Sequence, residues 1–360
     1  MSKTTILKEF GIETDDVLRF GTGHINETYK VRFDNKEYIL QKINSFVFPK
    51  PADIMENIIG VTSFLRDKII SDGGDAARET LHFLPTKSGK YFAVDEDGSY
   101  WRLMDFITGT VAYEKADSLD MLRKSGVAFG KFQAMLSDYP AEKLNEVIKD
   151  FHNTPVRFEQ LKTAVRENRV NRLQTAENEL KFALEREDAA SELTDMLDSG
   201  KLTLKVTHND TKMANILVDE KTDEPVCVID LDTIMPGLVA YDFGDSIRSG
   251  ATTALEDEAY LDKVNFDLDK FGAYAEGFLS VCGKSLSDNE LYSLTVGSKL
   301  MTLECGIRFL ADYFNGDVYF HTDYPEHNLV RARNQFKLVA DMEKNTEKMH
   351  AIVKKAADRS

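Results

Sequence analysis

Cysteine is scarce: Cys227, Cys282 and Cys305 are the only three in 360 residues, and no two form a C-x-x-C pair. A disulfide framework or a cysteine-rich zinc site is therefore not expected, and all three read as buried thiols among apolar neighbours. Long apolar runs are missing too, with none approaching the ~20 residues that cross a bilayer. The opening stretch MSKTTILKEFGIETDD lacks the apolar core of a secretory signal, so a cytoplasmic location is expected. Positive charge is in deficit: 45 Lys and Arg against 61 Asp and Glu leave a net −16. Such a surface repels phosphate backbones and anionic lipid, so neither nucleic acid nor a membrane is an expected partner. No obligate protein partner is evident, and there is no internal repeat or low-complexity segment. Aromatic residues are plentiful, with 22 Phe and 13 Tyr, which argues for ordered cores. The length suggests roughly two domains.

The first hundred residues alternate in the manner of strands. Residues 29–33 and 38–43 read as a β-hairpin turning at Asp34-Asn35-Lys36. After Pro49 and Pro51, the apolar residues Ile54, Ile58, Val61 and Leu65 mark one face of a helix over 52–68. Two further strands are expected at 91–94 and 100–107, around a turn at Asp95–Gly98. Beyond Gly109 the pattern is helical. Ser118 is the expected N-cap of a helix to Leu136. Helices are also expected near 142–149, 157–170 and 172–198. A strand-rich island spans 202–231, and helices return from 267, with the Pro325 region opening the last. The expected class is α+β: a small antiparallel β-sheet lobe over 1–105 and a larger, mainly helical lobe over 106–360, joined near Met104–Gly109.

The most informative stretch is His208-x-Asp210-x-x-x-x-Asn215, followed by a hairpin and the returning strand Val226-Cys-Val-Ile-Asp230-Leu-Asp232. Phosphoryl transfer needs a carboxylate to receive the acceptor hydroxyl, and further oxygen ligands to hold magnesium against the nucleotide phosphates. Asp210 and Asn215 on one loop, with Asp230 at the end of the neighbouring strand, supply that set. Asp232, two residues on, lies on the same strand face. It either assists the metal or bonds backbone.

This constellation resembles the aminoglycoside phosphotransferase and choline kinase superfamily, whose fold resembles that of protein kinases. The stretches GHINETY (23–29), THNDTK (207–212), IDLDTIMPG (229–237), DFGDSIR (242–248), ECGIRFLADY (304–313) and YPEHNLVR (324–331) are similar to the N-acetylhexosamine 1-kinases, from about residue 20 to about 340. The resemblance implies an ATP- and Mg2+-dependent kinase. In it Asp210 is the base and Asn215 and Asp230 are the metal ligands. Gly21, Gly23, His24 and Asn26 belong to the phosphate-covering turn, and the backbone from Met104 through Phe106 to Ile107 receives adenine. It also implies that Arg308 and Tyr319 line the sugar pocket and that Asp242 bonds the catalytic loop.

One departure stands out. The third strand, where kinases of this fold carry a basic residue for the phosphates, reads Tyr38-Ile-Leu-Gln41-Lys42. Gln41 takes that place, and Lys42 points to the other face. Glu56 therefore cannot simply be given the usual ion-pair role. The expected reaction is phosphorylation of the anomeric hydroxyl of an N-acetylhexosamine, GlcNAc or GalNAc. Three rivals remain. A kinase for choline, homoserine or an aminoglycoside is favoured by the charge. A nucleotide-binding pseudokinase is favoured by Gln41. A metal-dependent hydrolase would use His208, Asp210 and Asp230.

Overall fold

A computed structural model describes residues 3–21 and 25–359. In chain order its elements are α1 (Lys3–Glu9), β1 (Val17–Arg19), β2 (Glu27–Phe33), β3 (Lys36–Lys42), α2 (Pro51–Ser71), α3 (Ala76–Glu79), β4 (Ala93–Val94), β5 (Tyr100–Asp105) and β6 (Thr110–Val111). There follow α4 (Leu119–Met135), α5 (Thr154–Glu167), α6 (Glu177–Leu184), α7 (Glu192–Asp198), β7 (Lys205–Thr207), β8 (Ile216–Asp219), β9 (Pro225–Val228) and β10 (Met235–Gly237). The chain ends in α8 (Val239–Gly250), α9 (Leu268–Cys282), α10 (Asp288–Asn315), α11 (His327–Lys344) and α12 (Thr346–Ala357). The class is the expected α+β.

Two compact units form. The first gathers Met1–Ala112, Asp138–Lys149 and Asn215–Pro236; the second gathers Tyr113–Ser137, Asp150–Ala214 and Gly237–Ser360. Two segments from beyond residue 105 thus cluster with the N-terminal residues.

In the first unit an antiparallel sheet runs β1-β2-β3-β5-β4. The β2–β3 hairpin turns at Asp34 and Asn35, with φ of 49° and 58°. Asp and Asn tolerate that left-handed conformation, and two such residues match the twist of the strands they join. Alternation then sorts the faces. Tyr29, Val31, Tyr38, Leu40, Trp101 and Leu103 are buried against Ile6, Leu7, Phe10 and Ile12. On the other face, Thr28 lies opposite Gln41, and Gln41 opposite Arg102. The apolar stripe Ile54, Ile58, Val61, Leu65 and Ile69 of α2 is buried as its helical spacing predicts. A second sheet, β6-β8-β9, carries the hairpin after Asn215.

The second unit is mainly helical. Helices α4 and α9 approach so closely that a Cβ at Gly126 would lie 2.4 Å from the Tyr274 carbonyl oxygen. Helices α8 and α10 meet in the same way at Gly244 and Gly297. The N-terminus of α10 is closed by a reciprocal cap between Ser287 and Glu290, and α4 by the expected Ser118, whose side chain accepts from Met121 N–H.

Three expected helices change. The one over 142–149 shrinks to a tight turn at Ala141–Lys143, because Asn57 Oδ1 takes the Asn145 N–H at 2.8 Å. The one over 172–198 breaks into α6 and α7, with tight turns at Leu173–Thr175 and Glu187–Ala189. There the Thr175 hydroxyl bonds the Arg172 carbonyl in competition with helical backbone. The Pro325 region opens α11, and α12 follows it. Among the described residues no helix is long and apolar enough to cross a membrane.

Candidate active site

The catalytic-loop candidate follows β7 in the second unit. Its backbone is held from below by Asp242, in the first turn of α8. Asp242 Oδ2 accepts from His208 N–H at 2.9 Å and from Gln133 Nε2 at 2.6 Å, and Oδ1 accepts from Asn209 N–H at 2.8 Å. Asp242 is fully buried and burial pushes its carboxyl up; the three donors, with His208, act in the opposite direction. The expected anchoring duty of Asp242 is what the hydrogen bonds show. Asp245 Oδ2 accepts from Thr211 N–H at 2.9 Å, and Ser246 Oγ donates to the Thr211 carbonyl at 2.7 Å. Asn209 is left-handed, with φ of 64°, and Asp210 follows it, between the anchored residues Asn209 and Thr211. His208 is fully buried between the rings of Phe129 and Phe132, and its Nδ1 accepts from Asp210 N–H at 3.3 Å. That geometry suits an orienting histidine. The Asp210 side chain is part-exposed at 31%, with Lys212 Nζ 2.9 Å from its Oδ2.

Asn215 and Asp230 belong to the first unit, where β8 and β9 pair Ile216 with Val228. The Asn215 carbonyl accepts from Ile229 N–H at 2.9 Å, which brings Asp230 to the same end of the hairpin. Sequence reasoning places Asp230 at the end of the returning strand. Instead β9 ends at Val228, and Asp230 is exposed in a left-handed conformation, with φ of 61°. Aspartate tolerates that conformation, as at the Asp34-Asn35 turn. A carboxylate and a carboxamide offer the hard oxygens that magnesium prefers. Among the described residues no group of three or more His, Cys, Asp or Glu gathers as a closed metal cage.

Of the nucleotide candidates, Gly23 and His24 lie outside the described residues, and Gly21 has φ of 76°, which only glycine adopts at little cost. Asn26 Nδ2 donates to Asp232 Oδ2 at 2.6 Å, and its Oδ1 accepts from Asn44 N–H at 3.0 Å. Gln41 Nε2 donates to Thr28 Oγ1 at 3.0 Å, while its Oε1 accepts from Arg102 Nε and Nη2 at 3.0 and 2.8 Å. Arg102 Nη1 donates to Asp232 Oδ1. Asp232 is therefore bonded by side chains, which neither sequence-based alternative anticipates. Lys42 lies on the opposite face, 3.9 Å from Glu27. Glu56 accepts from Asn145 Nδ2 at 3.0 Å. Met104 is buried in β5. The Phe106 N–H is committed to the Glu37 carbonyl at 3.1 Å, and its ring meets Phe20 edge-on at 5.6 Å with Lys30 Nζ 3.8 Å above it. Phe106 can therefore offer a ring to a base, but not its N–H.

The acceptor candidates form a cluster in the second unit. The guanidinium of Arg308, on α10, lies 5.4, 5.8 and 5.5 Å from the rings of Phe151, Tyr319 and Phe320. Tyr319 is half exposed, and its loop is fixed by Asp312, which accepts from the N–H groups of Val318, Tyr319 and Phe320 at 3.0, 2.9 and 2.9 Å. One turn before Arg308, buried Glu304 accepts from His152 Nδ1 and Thr154 Oγ1, both at 2.9 Å. Burial pushes the Glu304 carboxyl up, but His152, Arg157 and Arg308 outweigh it and hold the carboxyl below the ordinary range. Burial and Arg308 together push Arg157 down. The His152 ring lies 5.2 Å from that of Tyr241, the neighbour of Asp242, tilted by 44°, and its buried Nε2 has no hydrogen-bond partner. Arg102, Lys212, His152 and Asp312 escape sequence reasoning. Glu304 lies inside the ECGIRFLADY stretch, one helical turn from Arg308, which is the signal that could have found it.

The model of the phosphotransferase enzyme family matches residues 16–276. The fold is similar to that of a spectinomycin phosphotransferase solved with ADP and spectinomycin, at 13% identity and TM-score 0.59, covering 96% of this chain and 97% of that one. It is similar to a microcompartment-associated aminopropanol kinase at 17% identity and TM-score 0.58, with the same coverage of 96% and 97%. It is also similar to an ethanolamine kinase of Plasmodium vivax at 14% identity and TM-score 0.55, covering 90% and 83%.

Proposed function

From the premise that the chain belongs to the phosphotransferase enzyme family, we propose that it transfers the γ-phosphoryl group of ATP to the anomeric hydroxyl of an N-acetylhexosamine. In this reading Asp210 receives the hydroxyl proton as the new oxygen–phosphorus bond forms and the bond to the β-phosphate oxygen breaks. ADP leaves with the electron pair of that bond. The transition state is loose, so Asp210 serves chiefly to aim the hydroxyl. Asn215 and Asp230 would hold magnesium, which when bound neutralises charge developing on the phosphates. Gly21, Gly23, His24 and Asn26 would cover those phosphates, and Met104 and Phe106 would border the adenine.

The observation that carries the choice of acceptor is Arg308 among its three rings, with Arg157 beside it. Choline, aminoglycosides and amino alcohols are cations, and a pocket built around arginine repels them. The two buried carboxylates of this cluster are already committed, Glu304 to His152 and Thr154 and Asp312 to the N–H groups of residues 318–320. A neutral sugar with an acetamido carbonyl offers acceptors to a guanidinium and a ring face to Tyr319. The net charge of −16 favours a cation over the whole surface, but local groups govern a pocket.

The test is ADP release with ATP, magnesium and a panel of GlcNAc, GalNAc, galactose, glucose, choline, homoserine and kanamycin, with the product assigned by phosphorus NMR. An anomeric phosphate from an N-acetylhexosamine is expected, with turnover lost and nucleotide binding kept in Asp210→Asn. Turnover only with cations would overturn the sugar assignment. Tight nucleotide binding without any turnover would overturn the kinase.

A further inference from the structure

In the first unit the proposed chemistry leaves a buried charge unused. Arg102 is 2% exposed, and its donors are spent on Gln41 and Asp232 while its guanidinium lies 5.6 Å from the Phe83 ring. A buried ion pair is costly to assemble and is weak evidence of stability, so its presence calls for another explanation. Position supplies one. Asp232 sits in the tight turn Leu231–Thr233, two residues after Asp230, and its second oxygen accepts from Asn26 Nδ2 at 2.6 Å. Asn26 stands immediately before β2, and its Oδ1 is held by Asn44 N–H at 3.0 Å. A single carboxylate thus fastens together segments 206 residues apart, backed by a guanidinium on the strand next to Gln41.

We propose that Arg102, Asp232 and Asn26 form a positioning linkage that takes over the task of the missing third-strand lysine. It sets the spacing between Asn26, at the phosphate-covering turn, and the segment bearing Asp230, so that metal-bound phosphates meet prearranged groups. The inference rests on the reading of Asn215 and Asp230 as magnesium ligands. Arg102 directs its donors to Gln41 and Asp232, and Asp232 in turn holds Asn26. The effect on the metal passes from Asp232 along two residues of backbone to Asp230, and loss of a support to a metal ligand changes metal affinity by about 10- to 100-fold.

The test is calorimetric ATP binding, with and without magnesium, for the full chain and three variants. Asn26→Ala cuts the linkage while leaving Asp232 to balance Arg102. The pair Arg102→Met with Asp232→Asn removes both charges together, which a fold tolerates better than the loss of one. In each, the gain in ATP affinity on adding magnesium should fall at least about tenfold; metal-free affinity stays within about twofold in the Arg102–Asp232 pair, whereas Asn26→Ala, which alters the nucleotide turn itself, is read through the magnesium gain alone. The proposal alone is overturned if both variants keep the whole magnesium gain, or if affinity with and without magnesium falls by one factor, provided that Asp230→Asn abolishes the gain. If the unaltered protein shows no magnesium gain, the metal reading fails and the linkage with it.

Discussion

Replacing Asp242 by Asn changes one atom and should reach Asp210 through a single backbone hydrogen bond. The carboxylate uses Oδ2 for His208 N–H and Gln133 Nε2, and Oδ1 for Asn209 N–H. An Asn carbonyl placed where Oδ2 stands keeps the first two bonds. Its amide then points at Asn209 N–H, donor against donor. The other orientation loses two bonds, so the first should prevail. Leaving one buried donor unsatisfied costs about 1–3 kcal/mol. Against this, the buried charge is removed, and the upward push of burial on this carboxyl shows that the charge is disfavoured there. The net destabilisation should be about 1–2 kcal/mol, a modest part of the ~5–15 kcal/mol that holds a domain. The damage falls on the peptide that presents Asp210, where a misplacement of ~1 Å costs up to about a hundredfold in rate. Asp242→Asn should therefore lower kcat about ten- to hundredfold while the Kd for ATP stays constant. Urea denaturation gives the first quantity, steady-state kinetics the second and calorimetry the third. A variant that keeps kcat within about threefold would refute the idea that Asp242 positions the base.

Asp95→Asn should destabilise the first unit by about 1–3 kcal/mol, because no orientation of Asn serves Trp101 Nε1, Asp97 N–H and Ser99 N–H together. Trp101 is the only tryptophan, so its fluorescence during denaturation reads this unit directly. Burial pushes the Asp95 carboxyl up, but Trp101, Ser99 and Asp97 outweigh it and hold the carboxyl below its ordinary value. The stability it contributes is therefore present at neutral pH and is lost as pH falls below the ordinary aspartate range through the folded value. Asp95→Asn should lack that acid-dependent step, and an unchanged acid limb would count against it. Gly126→Ala should cost about 1–3 kcal/mol in thermal denaturation, since its Cβ would stand 2.4 Å from the Tyr274 carbonyl and 2.8 Å from Phe278 N, both backbone. Better helix propensity offsets at most about 1 kcal/mol, so a raised Tm would refute the close-packing account.

What the sequence made legible was local. Asp34-Asn35 marks a hairpin because two left-handed residues are needed and both tolerate the conformation. Ser118 marks a helix start because its hydroxyl must reach an amide three residues on. His208, Asp210 and Asn215 stand out by their spacing, which is what the proposed catalytic loop would need. What stayed hidden depends on distant partners. The segment 142–149 has helical spacing, yet Asn57, 88 residues earlier, captures the Asn145 amide. Segments 138–149 and 215–236 cluster with the N-terminal residues, a grouping that no composition shift announces. Arg102 sits in an apolar strand, Trp101-Arg102-Leu103-Met104, and its meaning depends on pairing with β3 and on a carboxylate 130 residues away.

That pairing changes the meaning of Gln41. Read along the strand, a glutamine in place of lysine is a loss, and it is the feature that favours a pseudokinase. Read across the sheet, residue 41 lies directly opposite Arg102. A lysine there would set an ammonium against a buried guanidinium, and like charges facing one another across strands are destabilising. Glutamine is suited to the position because it carries both a donor and an acceptor. Its amide bonds Thr28 and its carbonyl takes two donors of Arg102, which frees Nη1 for Asp232. Under the proposed linkage the positive charge stands one strand over, on Arg102, with glutamine as its seat. In that reading Gln41 fits its place in the sheet beside Arg102, and its presence alone does not favour a pseudokinase.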